Sequence, residues 1–355
     1  MNSLLHIAGQ FDPCPAQISP LGNGLINDTY LVTTAASAFV LQRINDQVFP
    51  NPTLIMENLQ ALHRHIKQKQ KNEAVLLQIP DVLQTQRGEL SFQDDQGGYW
   101  RAISYIAGSH SLEKLSSLKQ ASQVGFALGH FHRLVSTLEP DLLHDTLPGF
   151  HITPEYLAEY RRVLNTHRLQ LASPEFRYCE NFIGKFAPIV ANLETAKVRG
   201  ILPLRVIHGD PKVNNFLFDR QAQTIISLID LDTVKPGLAH YDIGDCIRSC
   251  CHDTKDDTFD LALCSAILQS YLAETRSFFT ATDYNYLYQA IELIPFELGL
   301  RFFIDHLLGN RYFKVNEPEQ NVQRASAQFR LCDAIMSQRK ELEALIDHFK
   351  DQAFT

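Results

Sequence analysis

The octapeptide His208-Gly209-Asp210-Pro211-Lys212-Val213-Asn214-Asn215 constrains this chain more than any other stretch. Phe216-Leu217-Phe218 follows it, then a polar turn at 219–223, an apolar run at 225–229 and Asp230. Two β-prone runs around a polar turn read as a hairpin. Such a hairpin returns Asp230 to the end of the loop that carries Asp210 and Asn215. One Asp or Asn in a loop is usually a cap or a turn-former. The three together place hard oxygen ligands of the kind that hold Mg²⁺ around one point.

The rest of the composition narrows the setting. The chain has 355 residues, 45% of them hydrophobic, which is enough for more than one core. Its formal charge is −8, so no global basic field points to nucleic acid or to an anionic membrane. The opening MNSLLHIAGQFDPCP has neither a basic start nor a sustained apolar stretch, and no window approaches 18 consecutive apolar residues. A cytoplasmic protein, monomer or homodimer, is expected, with no membrane or nucleic-acid partner. Seven scattered cysteines lack disulfide spacing and read as reduced thiols. Cys246, Cys250, Cys251 and His252 invite a metal reading, but no second cluster completes a zinc set, so core packing is favoured.

The pattern along the chain is α+β. β-Prone runs at 29–33 and 39–44 precede an amphipathic helix at 54–67. Strands at 79–85, 90–92 and 99–106 follow, with Gly97-Gly98 as a hairpin turn. From Gly108 onward the texture is helical, at 118–138, 154–168, 174–198, 261–275, 282–308 and 322–349, interrupted by a strand-rich insert at 206–232. A loop occupies 140–153, and a further helix runs over about 242–251. This layout predicts an N-terminal β-rich lobe, 1–107, that covers a nucleotide. It also predicts a mainly helical lobe, 108–355, with the catalytic and metal loops and an acceptor pocket.

H-x-D-x-x-x-x-N, a strand and a second Asp match the order and spacing by which protein-kinase-like enzymes set their catalytic and Mg²⁺-binding groups beside ATP. In such a bilobal fold Asp210 orients the acceptor hydroxyl and takes its proton. Lys212 meets the γ-phosphate, and Asn215 and Asp230 hold the metal. His208 reads as a brace of the loop, and Asp242 as a loop anchor or N-cap. Gly22, Asn23 and Gly24 precede a strand, where backbone N–H groups can cover phosphates. Asn27 and Thr29 on the same loop are further candidate nucleotide contacts, as are the backbones of Ser104, Tyr105 and Ile106 for the base. The lysine that protein kinases carry on the third strand is absent, and Gln42 or Arg43 stands in its place. Glu57 on the next helix is a possible partner.

These motifs resemble those of the aminoglycoside phosphotransferase and choline kinase superfamily. H-G-D-P-K-V-N-N and I-D-L-D-T-V-K-P-G carry the likeness. Within it the chain is most similar to the N-acetylhexosamine 1-kinases, through Gly24 to Thr34, Leu41 to Asn45, Pro203 to Val206, residues 229–248 and Glu297 to Phe303. The resemblance implies ATP and Mg²⁺, and phosphoryl transfer to the anomeric hydroxyl of an N-acetylhexosamine. It makes Asp210, Arg301 and Tyr312 sugar contacts, and it makes the glutamine at 42 ordinary. The chain departs from those sugar kinases at Leu25, where they carry His. Alternatives are a kinase of choline, an aminoglycoside or homoserine, and a non-catalytic nucleotide-binding relative.

Overall fold

The computed structural model describes residues 4–22, 26–35, 37–166 and 173–355. A short helix α1 (Leu4–Ala8) precedes strands β1 (Pro15–Pro20), β2 (Asp28–Thr34) and β3 (Ala38–Ile44). Helix α2 (Pro52–Lys69) and strands β4 (Val82–Leu83), β5 (Phe92–Gln93) and β6 (Tyr99–Ser104) follow. The strands form one antiparallel sheet in the order β1-β2-β3-β6-β4, with β5 on β6. Alternation splits the sheet into two faces. Val32, Phe39, Leu41, Trp100 and Ala102 pack against Ile7 and Ala8 of α1. The opposite face carries Thr29, Gln42 and Arg101, set side by side by the pairings Thr29↔Gln42 and Gln42↔Arg101.

The strand expected at 79–85 shrinks to Val82–Leu83 and pairs with β6 rather than with 90–92. Pro80 lacks an N–H, and the Thr85 amide is taken by Glu89 O in a turn (2.7 Å). The segment before it leans on the insert instead, with Gln78 N donating to Ile226 O at 2.9 Å.

The remainder is helical around small strand pairs. Strand β7 (Ser109–Ser111) leads to α3 (Leu118–Val135), α4 (Thr153–Thr166), α5 (Pro174–Phe186) and α6 (Asn192–Val198). Strands β8 (Arg205–Ile207), β9 (Phe216–Asp219), β10 (Ile225–Leu228) and β11 (Lys235–Gly237) make up the insert. Then come α7 (Ala239–Cys250), a hairpin of β12 (His252–Asp253) and β13 (Thr258–Phe259), α8 (Leu261–Thr275), α9 (Ala281–Asn285), α10 (Leu287–Leu307), α11 (Gln320–Ser337) and α12 (Arg339–Phe354). No helix among the described residues is long and apolar enough to cross a membrane.

Three long periodic stretches break where the sequence reading ran them on. The 174–198 stretch turns at Pro188, which cannot donate an intrahelical bond. The 282–308 stretch opens as α9, started by a Thr280/Asp283 capping box, and breaks at Tyr286 (φ −107°, ψ 0°) before α10 begins. The 322–349 stretch divides at Gln338, whose φ −103° and ψ 20° leave the helical basin. Apolar period alone does not mark such breaks, because both halves face the same core.

One core gathers α2, α3, α7, α8 and the β9–β10 hairpin, and a second gathers α4, α5, α10 and α11. Cys246, Cys250, Cys251 and Cys264 pack inside the first. Helix α3 packs closely on α8. A Cβ at Gly125 would stand 2.1 Å from Ile267 O, so only glycine lets the two backbones approach. Gly125→Ala is expected to cost about 1–3 kcal/mol by overpacking. Gly184→Ala, in α5 with nothing within 4 Å of its Cβ, should be neutral or slightly stabilising. Urea midpoints of the two variants test the contrast.

Candidate functional site

The loop at 208–215 lies between β8 and β9 and is braced from below by a buried carboxylate. Asp242, in the first turn of α7, is fully buried and accepts the amides of His208 (2.6 Å) and Gly209 (2.8 Å). Its Oδ2 also accepts His132 Nε2 of α3 at 2.8 Å, and His132 Nδ1 bonds Tyr271 Oη of α8 at 2.8 Å. Burial alone would raise the Asp242 pKa, but the bonds from His132 and the nearby His208 hold it below the ordinary carboxylate value. Gly209 takes φ +89°, and a Cβ there would collide with Thr233 O at 2.6 Å. His208 Nε2 donates to Ile229 O at 3.0 Å, and Thr233 Oγ1 donates to His208 O at 2.9 Å. His208 is therefore structural and joins the loop to the segment that carries Asp230.

A second brace comes from the 140–153 loop. His151 Nε2 donates to Gly209 O (2.7 Å) and Nδ1 donates to Glu297 Oε1 (3.0 Å), while Thr153 Oγ1 donates to Glu297 Oε2 (2.7 Å). With a proton on both nitrogens the ring is an imidazolium. Burial opposes that charge, but Glu297 and the other acceptors outweigh it and hold the His151 pKa above 6.5. Burial likewise opposes the Glu297 charge, and His151 more than offsets it.

Above these braces the expected residues converge. Lys212 Nζ forms a close ion pair with Asp210 and stands 3.7 Å from Asp230. Asn215 Nδ2 donates to Asp210 O at 2.7 Å, and Asn215 O accepts Ile229 N at 3.0 Å. Asp230 sits in the left-handed region at φ 65°, a conformation rare outside glycine and tolerated by Asp. Its side chain is 40% exposed in the cleft. Desolvation and the charges of Asp232 and Asp210 push its pKa up despite Lys212, whereas the ion pair with Lys212 overcomes burial and keeps Asp210 low. Burial disfavours the Lys212 ammonium, but the two aspartates win and raise its pKa. Asn215 Oδ1 and the Asp230 carboxylate accept no hydrogen bond among the described residues. Two hard oxygen groups that accept no hydrogen bond there fit a divalent ion that keeps its other positions for phosphate and water.

On the sheet side Thr29, Gln42 and Arg101 form a chain. Gln42 Nε2 donates to Thr29 Oγ1 (3.1 Å), and Gln42 Oε1 accepts Arg101 Nε (3.0 Å) and Nη2 (2.8 Å). Arg101 Nη2 also meets Asp232 Oδ1 at 2.5 Å, and Asn27 Nδ2 donates to Asp232 Oδ2 at 2.9 Å. Asn27 is thereby a tie between the sheet and the Asp230 segment, and its Oδ1 accepts Asn45 N at 3.0 Å. Gly22 stands at the near end of its loop, while Asn23, Gly24 and Leu25 lie outside the described residues. At the end of β6, Ser104 exchanges two bonds with the Asp81 backbone (2.8 Å each). The next residue, Tyr105, makes no backbone hydrogen bond among the described residues, and Ile106 O accepts Ser109 Oγ at 2.6 Å. Glu57 does not reach the sheet and pairs with His144 at 2.9 Å.

Across the cleft, Arg301 of α10 lies among four rings: Phe150 (4.9 Å), Tyr156 (5.5 Å), Phe313 (5.6 Å) and Tyr312 (5.8 Å). Asp305, one turn on, accepts the amides of Arg311, Tyr312 and Phe313 (2.8–2.9 Å) and so shapes the loop that carries two of these rings. Burial lowers the Arg301 pKa, but the two tyrosines, Glu297 and Asp210 outweigh it.

Arg101, His132, His151 and Glu297 escaped the sequence reading. Each acts across segments far apart in the chain, and only Glu297 stands in a stretch that carries the family likeness, where nothing in the local pattern marks its role. The His151–Glu297 pair should make stability depend on pH. A folded-state His pKa above 6.5 contributes fully below 6.5, and the contribution is lost as pH rises through the folded value. The gap in urea midpoint between native protein and His151→Gln is expected to be wide at about pH 6 and narrower at about pH 9. A gap independent of pH would mean a neutral His151.

Comparison with known proteins places this geometry. The model of the Phosphotransferase enzyme family matches residues 17–278. Among solved structures the chain is similar to an aminoglycoside phosphotransferase from Alicyclobacillus acidocaldarius, at 15% identity and a TM-score of 0.67 over 96% of both chains. It is also similar to a microcompartment-associated aminopropanol kinase, at 15% identity and a TM-score of 0.59 over 91% of this chain and 93% of that one. A Plasmodium vivax ethanolamine kinase matches at 13% identity and a TM-score of 0.55 over 91% of this chain and 84% of that one. At these identities the likeness establishes a shared fold. The match across well over half of the sequence makes this chain a member of the phosphotransferase enzyme family.

Proposed function

We propose that the protein transfers the γ-phosphoryl group of ATP to a hydroxyl of an uncharged small molecule, with the anomeric hydroxyl of an N-acetylhexosamine as the leading acceptor. The observation that carries this reading is the convergence of Asp210, Lys212, Asn215 and Asp230 on one cleft. Phosphoryl transfer asks for positioning and charge neutralisation rather than covalent chemistry. Asp210, kept ionised by Lys212, orients the acceptor hydroxyl and receives its proton. Lys212 is the point charge nearest the transferred group. Asn215 and Asp230 are the residues that would hold Mg²⁺, which when bound offsets the charge of the nucleotide phosphates. The 1–107 lobe, with Gly22, Asn23, Gly24, Thr29 and Gln42, covers the nucleotide. The free backbone of Tyr105, between Ser104 and Ile106, faces the base, and the 108–355 lobe takes the acceptor.

Arg301 and Tyr312 define that acceptor. Two of the similar kinases are named for ethanolamine and aminopropanol, which are cations at neutral pH. Here the aromatic surround already holds a cation of the protein's own. The Arg301 guanidinium makes no hydrogen bond among the described residues, so its donors are available to carbonyl or hydroxyl oxygens. A second amine there meets repulsion, whereas an uncharged polyol or acetamido group meets donors and ring faces.

ADP release with Mg·ATP, measured against N-acetylglucosamine, N-acetylgalactosamine, other hexoses, homoserine, choline and ethanolamine, tests the reading. Turnover on uncharged hydroxyls is expected, and turnover confined to the amines would overturn the acceptor class. Asp210→Asn should abolish transfer with nucleotide affinity retained, and near-normal turnover would remove Asp210 from its role. Arg301→Ala should raise KM for the acceptor about tenfold or more with little change for ATP.

A further inference from the structure

A nucleotide held against this sheet needs a cation on the cleft face, and the third strand does not supply one. At the position where protein kinases carry lysine stands Gln42, which is neutral. Arg101 lies directly opposite it on the neighbouring strand, on the same face, and is 2% exposed. Its Nε and Nη2 are held by Gln42 Oε1, and Nη2 also by Asp232 Oδ1. Its Nη1 is buried without a partner among the described residues. An unpaired donor on a buried guanidinium carries a desolvation cost unless something accepts from it. Asp232, itself 2% exposed, lies two residues past Asp230, so the guanidinium borders the segment that faces the phosphates.

We infer that Arg101 is the nucleotide-phosphate cation of this protein, moved one strand over from the usual lysine, with its free Nη1 turned to phosphate oxygens. Its carboxylate partner has moved too. In protein kinases a helix glutamate pairs with the lysine. Here Glu57 of α2 is engaged with His144, and Asp232 of the metal-side segment takes the pairing. The ion pair therefore couples the sheet directly to the loop that carries Asp230, and Gln42 serves to aim the guanidinium. This inference rests on the nucleotide reading above.

Dissociation constants for ADP and for adenosine, measured by calorimetry in the presence of Mg²⁺, test it. Arg101→Met should weaken ADP by about 10- to 100-fold, the worth of a charge-assisted hydrogen bond, and leave adenosine unchanged. Gln42→Lys in the Arg101→Met background should recover much of the loss by returning a cation to the third strand. Arg101→Lys, which keeps the charge, serves if the methionine variant does not fold, with an intermediate loss for ADP alone. Equal losses for ADP and adenosine, or none for either, would overturn the assignment and leave Arg101 a structural tie. Failure of the unaltered protein to bind ADP would instead overturn the nucleotide reading itself.

Discussion

A single buried carboxylate holds the centre of this structure in place. Asp242 accepts two consecutive backbone amides of the His208–Gly209 turn and a ring N–H of His132. An ionised group with no solvent contact is costly unless its lone pairs are filled. Three donors fill them, two from one loop and one from a helix distant in the chain. α7 presents the acid, α3 the histidine and the loop after β8 the amides. The loop can sit where it does only if α3 and α7 are packed correctly, and the α3 position depends in turn on the glycine contacts with α8.

The same loop is gripped from its other side by His151 and Glu297, and Glu297 lies one helical turn from Arg301 on α10. The Asp210 loop and the aromatic surround of Arg301 thus share one helix, the loop through the His151–Glu297 bonds and the rings through Arg301 one turn on. A shift of α10 at Arg301 would pull on Gly209 through Glu297 and His151. On the opposite side Asp232 joins the sheet to the Asp230 segment through Arg101 and Asn27. Two buried charge pairs stand one on each side, with Asp210 and Lys212 partly exposed and Asp230 exposed between them.

Much of this was legible beforehand, and the reasons differ by feature. The sheet strands at 29–33 and 39–44 were visible because one face alternates apolar residues cleanly. The helical breaks at Pro188, Tyr286 and Gln338 were not, since a stripe that faces one core keeps its period across a kink. Asp242 was readable as a loop anchor or N-cap from its place at the start of an expected helix, and it is the anchor that the structure bears out. Gly22 and Gly24 read as a candidate nucleotide-covering turn, and Asn23 and Gly24 lie outside the described residues.

By itself the sequence determined the convergence of Asp210, Asn215 and Asp230, because loop, hairpin and acid are separated by few residues and the local geometry has little freedom. It also determined the family, since the family model matches residues 17–278 of the sequence. The tertiary structure decided which cation faces the cleft from the sheet, which carboxylates hold the loop, and what surrounds Arg301. Those pairings join residues more than a hundred positions apart, such as Arg101 with Asp232 and His151 with Glu297. No local pattern encodes them. They exist because packing removes these groups from water, and a charge so buried must be met by whatever partner the fold brings beside it.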